Sequence, residues 1–283
     1  MEKQTVTQDG ITYALPQVTL LVQSGIGVSE VAARTCYDSF DKSNHSVIQS
    51  LGESTPSEEE LLELYALDNS PLLEDLAWTY FHHSILEHTT LSFLVRGTSR
   101  GVLQEHARHR LQAISVRSTR YTMSGIVNAY VASLQSTEPK EFFTNKLTGF
   151  DMLVTTQQEY NKLEFDAIFE KLSYQREKLP DFYQKAVAKS SLPFLEEYKN
   201  KPEELFEALQ NGKKKRNVGD AFKHIVSDNW KVDMVVSFNL RSLKNYFTLR
   251  DSGSAYFQIR WLAKAMKEAT PKKYLNLIVK SSK

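Results

Sequence analysis

Two stretches of this chain alternate apolar and polar residues with a period of two, a pattern that fits a half-buried β-strand and not a helix. In "LEHTTLSFLVRG", Leu91, Phe93 and Val95 fall on one face and Thr90, Ser92 and Leu94 on the other, with Gly97 as the boundary. In "VDMVVSFN", Val232, Met234, Val236 and Phe238 share a face. A third strand-like stretch, "GITYALPQVTLLVQSG", alternates Val18, Leu20 and Val22. Elsewhere the spacing turns helical. "VSEVAARTCYDSF" reads as a short helix with Val28, Val31 and Ala32 on one face, and "PLLEDLAWTYFHHS", "LRSLKNYFTLR" and "AYFQIRWLAKAMKEA" as others, the last stopped before Pro271. Ser99 to about Leu111 is helical too, and residues 42–54 read as a polar loop. "STPSEEELLELYAL" carries a helix start, with Thr55 as N-cap, Pro56 at N1 and Glu58 at N3 completing a capping box.

Residues 124–220 are charged and mostly helical, and contain the run Lys213, Lys214, Lys215, Arg216, which reads as a solvated loop. No internal repeat or low-complexity linker divides the chain. Residues 1–283 therefore read as a single domain, with 124–220 as a helical elaboration at its periphery.

Composition matters here for what it excludes. Lys and Arg number 35 against 34 Asp and Glu, a formal net charge of +1, so no global field draws the molecule to nucleic acid or to a membrane surface. Cys36 is the sole cysteine, which rules out an intrachain disulfide and argues against a cysteine-based metal site. No stretch resembles a signal peptide and the apolar runs are too short to span a bilayer, so a cytoplasmic protein is expected.

Against that neutral background, "ARHRLQAISVRSTRYT" at 107–122 gathers four arginines and a histidine. A guanidinium is a rigid fork of donors that matches phosphate or carboxylate oxygens. Arg108 and Arg110 flank His109 near the end of a helix; on a regular helix they would diverge by about 200°, but on an irregular segment they can point the same way. Ser118, Thr119 and Arg120 follow with two hydroxyls and a further guanidinium. A second cluster is Asn239, Arg241, Asn245 and Arg250, in which Arg241 and Asn245 share a helix face. An amide suits a heterocycle edge or a ribose hydroxyl, a guanidinium a phosphate. The plainer readings are a basic helix face for the first cluster and a helix cap at Asn239 for the second. A third group is "HHSILEH", with His82, His83, Glu87 and His88; it lacks the HExxH pattern, and no metal is expected.

The run Arg108-His109-Arg110, seven residues, Ser118, then Arg120-Tyr121 resembles the signature of the flavin-dependent thymidylate synthases. "ARTCYDSF" at 33–40, "HSILEH" at 83–88 and "FNLRSLKNYFTLR" at 238–250 resemble further segments of that family, in the same order. The resemblance implies an α/β (α+β) fold, a mixed sheet core with long helices, here with an enlarged helical middle region. It implies a homotetramer that binds FAD at subunit interfaces and converts dUMP to dTMP, with methylenetetrahydrofolate as carbon donor and NADPH as reductant. By the same resemblance Arg108, His109, Arg110, His83, Glu87, Asn239, Arg241 and Asn245 would bind FAD. Gln104, Glu105, Ser118, Thr119, Arg120, Lys223 and Arg250 would hold dUMP, with Arg250 under the pyrimidine and Arg250 and Ser118 as the catalytic pair. The chain departs from the pattern at Ala113, at Val116, at Ser227 where a proline is common, and at Glu105, where many members carry glutamine.

Two other readings compete. One is a catalytically impaired descendant that binds FAD or dUMP without turnover. The other is a nucleic-acid-binding module, which the neutral charge and the lack of a wider basic stripe oppose.

Overall fold

The computed structural model describes residues 4–122, 124–147, 158–177 and 226–280. In chain order, β1 (Thr5–Gln8) and β2 (Ile11–Ala14) are followed by β3 (Gln17–Gln23), α1 (Gly27–Cys36), α2 (Ser46–Ser50), α3 (Glu58–Ala66) and α4 (Pro71–Trp78). A 3-10 segment over His83–His88 leads into β4 (Thr90–Ser99), α5 (Arg100–His106), β5 (Gln112–Val116) and the one-turn α6 (Thr119–Thr122). Then come α7 (Ser124–Ser133), α8 (Pro139–Leu147), α9 (Gln158–Glu177), β6 (Lys231–Asn239), α10 (Leu240–Arg250), α11 (Phe257–Glu268) and α12 (Lys272–Ile278). The fold is mixed α/β, a sheet core with long helices, as the resemblance implies.

Internal contacts divide the chain into two compact units. One comprises 1–14, 99–101 and 117–232. Its β1 and β2 pair as an antiparallel hairpin turned by Asp9 and Gly10, both at positive φ. Its helices α7, α8 and α9 pack through an aromatic cluster in which the Phe169 ring lies 5.3 Å from Tyr130 and 5.4 Å from Phe143. The described part of 124–220 is thus helical; the lysine run and Lys223 lie outside the described residues.

The other unit comprises 15–98, 102–116 and 233–283, and holds a four-stranded sheet in the order β3-β4-β6-β5. Leu91, Phe93 and Val95 are fully buried, as are Met234, Val236 and Phe238, so the alternation read from the sequence is the alternation of the sheet. Gly97 does not end the strand. It lies within β4 at φ +81 and donates its N–H to Asp233 Oδ1 at 2.9 Å.

Elsewhere the fold departs from the periodicity of the sequence. The register of β3 against β4 shifts between Leu20 and Val22, so Val18 and Leu20 pack on the core while Val22 is exposed. The strand-like N-terminal stretch is two strands, β2 and β3, divided at Leu15 and Pro16. Residues 42–54 are not all loop, since α2 buries Val47 and Ile48 against Leu64. The cap of α3 is Ser57, whose hydroxyl accepts from Glu60 N while Glu60 Oε2 accepts from Ser57 N, two residues beyond the expected box. Both placements satisfy the same motif; Ser57 prevails because the helix begins at Glu58.

The buried face of α1 is Ser29, Glu30, Ala33 and Arg34, not Val28, Val31 and Ala32. Most of its polar atoms are paired: Ser29 Oγ lies 2.7 Å from Thr89 Oγ1, and Glu30 Oε1 accepts from Ser43 Oγ at 2.8 Å and from Arg34 Nε at 3.4 Å, while Glu30 Oε2 makes no hydrogen bond and lies 3.8 Å from His45 Nε2. The helix can approach α3 this closely because Gly25 and Gly27 have no side chain: a Cβ on Gly27 would stand 2.3 Å from the Leu64 carbonyl oxygen.

Candidate active site

Helix α10 is the element on which the site is built. Asn239 caps it, its Oδ1 accepting from Ser242 N at 2.8 Å. Leu240, Leu243, Tyr246 and Phe247 form the buried stripe. The remaining arc, Arg241, Lys244, Asn245 and Leu249, faces outward into a cavity of about 760 Å³.

The second wall is the Arg108–Leu111 loop. The sequence gives no strand between it and Ser118, yet β5 lies there, paired antiparallel with β6 so that Gln112 stands opposite Phe238. That register delivers the residues before Gln112 to the end of β6 from which α10 starts. Arg108, His109 and Arg110 all line the cavity, and His83 and Glu87 of the 3-10 segment close it. Five cationic side chains (Arg108, Arg110, Arg241, Lys244 and Arg250) thus face one cavity with a single lining carboxylate, Glu87, which accepts from Arg241 Nη1.

Arg250, at the C-terminal end of α10, is held on two sides. Its Nη1 donates to Glu105 Oε2 at 2.9 Å, its Nη2 to the Glu105 carbonyl at 3.3 Å, and its Nε to His109 Nε2 at 2.9 Å. To accept that bond His109 must carry its proton on Nδ1 and be neutral. Burial first, and the Arg250 guanidinium second, push its pKa down to about 4, so it is neutral over the physiological range. His106, wholly buried behind it, is likewise lowered to about 4 by burial and by His109.

Lys244 also lines the cavity, although neither arginine cluster of the sequence includes it. Its Nζ lies 3.0 Å from His83 Nε2 and 3.8 Å from the centre of the Trp78 ring, and burial lowers its pKa from the usual lysine value. The signal was available, since Lys244 stands three residues after Arg241 and one before Asn245 on the same arc. A second cavity, of about 330 Å³, shares His83 and Arg241 with the first and is lined also by Cys36, Tyr37, Phe81 and His82. It brings "ARTCYDSF" and "HHSILEH" together.

The cavity thus gathers His83, Glu87, Arg108, His109, Arg110, Arg241, Asn245 and Arg250. Glu105 reaches Arg250, Asn239 is spent as the helix cap, and Gln104 is exposed on α5 away from the lining. Ser118, Thr119 and Arg120 belong to the other compact unit, where the Ser118 carbonyl accepts from Tyr121 N and Thr122 N and Thr119 is buried. Among the described residues no three His, Cys, Asp or Glu side chains are grouped so as to hold a metal ion. Among them too, no helix is long and apolar enough to cross a membrane.

Residues 23–274 match the model of the family described as thymidylate synthase complementing protein. The chain is 29% identical over 259 residues to the flavin-dependent thymidylate synthase of Wolinella succinogenes, covering 91% of this chain and 94% of that protein. This chain belongs to the flavin-dependent thymidylate synthase family. A second member, the flavin-dependent thymidylate synthase of Campylobacter jejuni, is 28% identical over 258 residues, 91% of this chain and 93% of that protein. The fold of the family is seen in the crystal structure of thymidylate synthase X from Helicobacter pylori with FAD and dUMP, which matches at a TM-score of 0.57 and 24% identity over 93% of this chain and 97% of that one. The segments that resemble the family from "ARTCYDSF" to "FNLRSLKNYFTLR" all fall within the matched span.

Proposed function

We propose that this chain is an FAD-dependent thymidylate synthase. It joins dUMP, methylenetetrahydrofolate, NADPH and a proton into dTMP, tetrahydrofolate and NADP+. The observation that carries the reading is the cavity of α10: five cations converge on it in a chain of net charge +1, as two phosphorylated ligands require. Its volume, about 760 Å³, suits a small-molecule site.

The lining fits a flavin dinucleotide. Arg108, Arg110 and Arg241 would hold the diphosphate, Asn245 would offer its amide to polar edges, and His83, Glu87 and His109 would border the ring system; Asn239, outside the lining with its Oδ1 engaged as the cap, would reach the flavin only through its Nδ2–H donors. FAD, when bound, would carry reducing equivalents from NADPH to the transferred carbon. Ser118, Thr119 and Arg120 would bind dUMP, chiefly at its phosphate, with Gln104 and Lys223 as further contacts; Glu105, a carboxylate where the resemblance expects glutamine, would border the nucleotide through its pair with Arg250. Arg250 would lie under the pyrimidine and stabilise negative charge on a ring carbonyl as the ring is alkylated. Ser118 would hold the nucleotide in register for that step. Residues 1–283 would act as one catalytic domain, with 124–220 as its elaboration, in a cytoplasmic homotetramer whose sites are completed at subunit interfaces.

The impaired-descendant reading is favoured by one observation, the engagement of Arg250 by Glu105. A single experiment separates the two. Purified protein is reconstituted with FAD and reduced anaerobically with NADPH, with and without dUMP, and dTMP is then assayed. Flavin that is reduced and dTMP that accumulates support the synthase; flavin bound but never reduced supports the impaired descendant; no flavin binding removes both.

A further inference from the structure

We propose that Tyr246, buttressed by His106, is the residue that positions Arg250, acting through the His109 ring; the inference rests on the function proposed above insofar as Arg250 serves the reaction. Tyr246 and His106 are both wholly buried. Tyr246 Oη and His106 Nδ1 are 3.0 Å apart. Were Nδ1–H the donor, the phenol hydrogen and the Nε2 lone pair would both be stranded in the core. With the phenol as donor, only Nε2–H lacks a bond. The Tyr246 hydroxyl therefore donates to His106 Nδ1. Gln112 holds the other end, its Nε2 donating to the His106 carbonyl at 3.0 Å.

With its hydroxyl fixed, the Tyr246 ring has one orientation. It meets the His109 ring edge to face, with centroids 4.7 Å apart and planes at 67°, and backs on Phe238 at 5.4 Å. The plane so imposed on His109 aims Nε2 at Arg250 Nε, 2.9 Å away. Packing alone gives no reason for the polar pair, since Phe at 246 and Leu at 106 would fill the same space without burying a hydroxyl and an imidazole. The pair makes sense if the direction of a ring matters. A buried, nearly satisfied polar pair fixes one arrangement where an apolar contact tolerates several. Catalytic groups lose rate steeply when displaced by an ångström.

The test uses the full chain reconstituted with FAD and three variants, His106→Leu, Tyr246→Phe and His106→Asn. The Asn oxygen stands where Nδ1 stood and can accept from Tyr246. Two quantities are read: the His109 tautomer and titration by nitrogen-15 NMR, and kcat and KM for dUMP. Arg250 acts electrostatically on His109, with Glu105 across Arg250, Arg108 and Arg110 flank it in sequence, and His109 in turn lowers His106, so the His106 variants are read against Tyr246→Phe, in which all of these groups stay in place. His106→Leu and Tyr246→Phe are expected to retain FAD, to keep KM within about twofold and to lose about tenfold or more in kcat. In both, the His109 midpoint climbs from about 4 toward the ordinary imidazole range, and His106→Asn restores both readings. A His109 titration that stays put in Tyr246→Phe and His106→Leu overturns the inference. A midpoint that moves in a wild-type background making no dTMP supports the positioning and instead overturns the proposed function. If His106→Leu does not fold, Tyr246→Phe and His106→Asn decide.

Discussion

Arg250 and Glu105 form an ion pair at 2.9 Å whose carboxylate neutralises the one guanidinium set deepest in the cavity, with side chains only 17% and 33% exposed. An anionic ligand that needs Arg250 must compete with that carboxylate. Glu105→Gln keeps a hydrogen-bond acceptor and removes the charge. Loss of a like charge beside the ligand is worth on the order of 1 kcal/mol, so dUMP should bind about fivefold tighter by calorimetry. The cost in stability should stay under about 1 kcal/mol, as for other partly exposed pairs. Unchanged dUMP affinity would mean that Glu105 does not compete.

His106 and His109 set a pH window. His106 and His109 titrate near 4 in the folded chain and near 6.5 when unfolded. Between those values the unfolded chain takes up protons that the folded chain refuses. Stability from this source is therefore complete above about pH 6.5 and declines as pH falls toward 4. For wholly buried His106 the loss is on the order of 3 kcal/mol; partly exposed His109 adds less. Urea midpoints should fall from pH 7 to pH 4.5 in the wild type. In His106→Asn, which cannot titrate, much of that fall should vanish; an equal fall would place the cause elsewhere.

Where the sequence could be read, the reason was local. Leu91, Phe93 and Val95, and Met234, Val236 and Phe238, alternate because one sheet face is buried, and that pattern needs no knowledge of partners. The arginines of the loop and of α10 were legible as chemistry because no local pairing explained so many guanidinium groups. What stayed hidden was set by tertiary context. β5 is short and half exposed, with "QAISV" giving little periodicity, and only its pairing with β6 makes it a strand. The polar inner face of α1 defeats any hydrophobic-face reading, because Glu30 and Ser29 are buried only by virtue of Ser43 and Thr89. The Glu105–Arg250 pair joins residues 145 apart in the chain, which spacing alone cannot reveal.

Gly27 is a site where the fold tolerates no side chain. A Cβ there would meet the Leu64 carbonyl oxygen at 2.3 Å and Leu64 Cδ1 at 2.7 Å, and the backbone contact cannot yield without moving α1 from α3. Gly27→Ala should cost about 3 kcal/mol despite the better helix propensity of alanine. Gly253→Ala, where nothing lies within 4 Å, is the control and should stay within about 0.5 kcal/mol. Thermal unfolding of both variants decides, and equal midpoints would show that α1 shifts freely against α3.

Arg108 and Arg110 are exposed, line the cavity and sit in a loop whose packing does not depend on their side chains. Their removal should therefore separate binding from stability. A charge-assisted hydrogen bond to a phosphate oxygen contributes about 1.5–3 kcal/mol, so Arg108→Ala and Arg110→Ala should each raise the FAD dissociation constant at least tenfold. Unfolding free energies should move by less than about 0.5 kcal/mol. Salt offers an independent reading, because screening weakens exposed charge pairs most: FAD affinity should drop as ionic strength rises, and drop less steeply in either variant than in the wild type. Glu87→Gln works in the opposite sense, since Arg241 is then released from its carboxylate and is free to meet the ligand. Fluorescence titration of FAD at two salt concentrations measures all three variants. Affinity that is indifferent to salt and to both arginines would locate the flavin away from the α10 cavity.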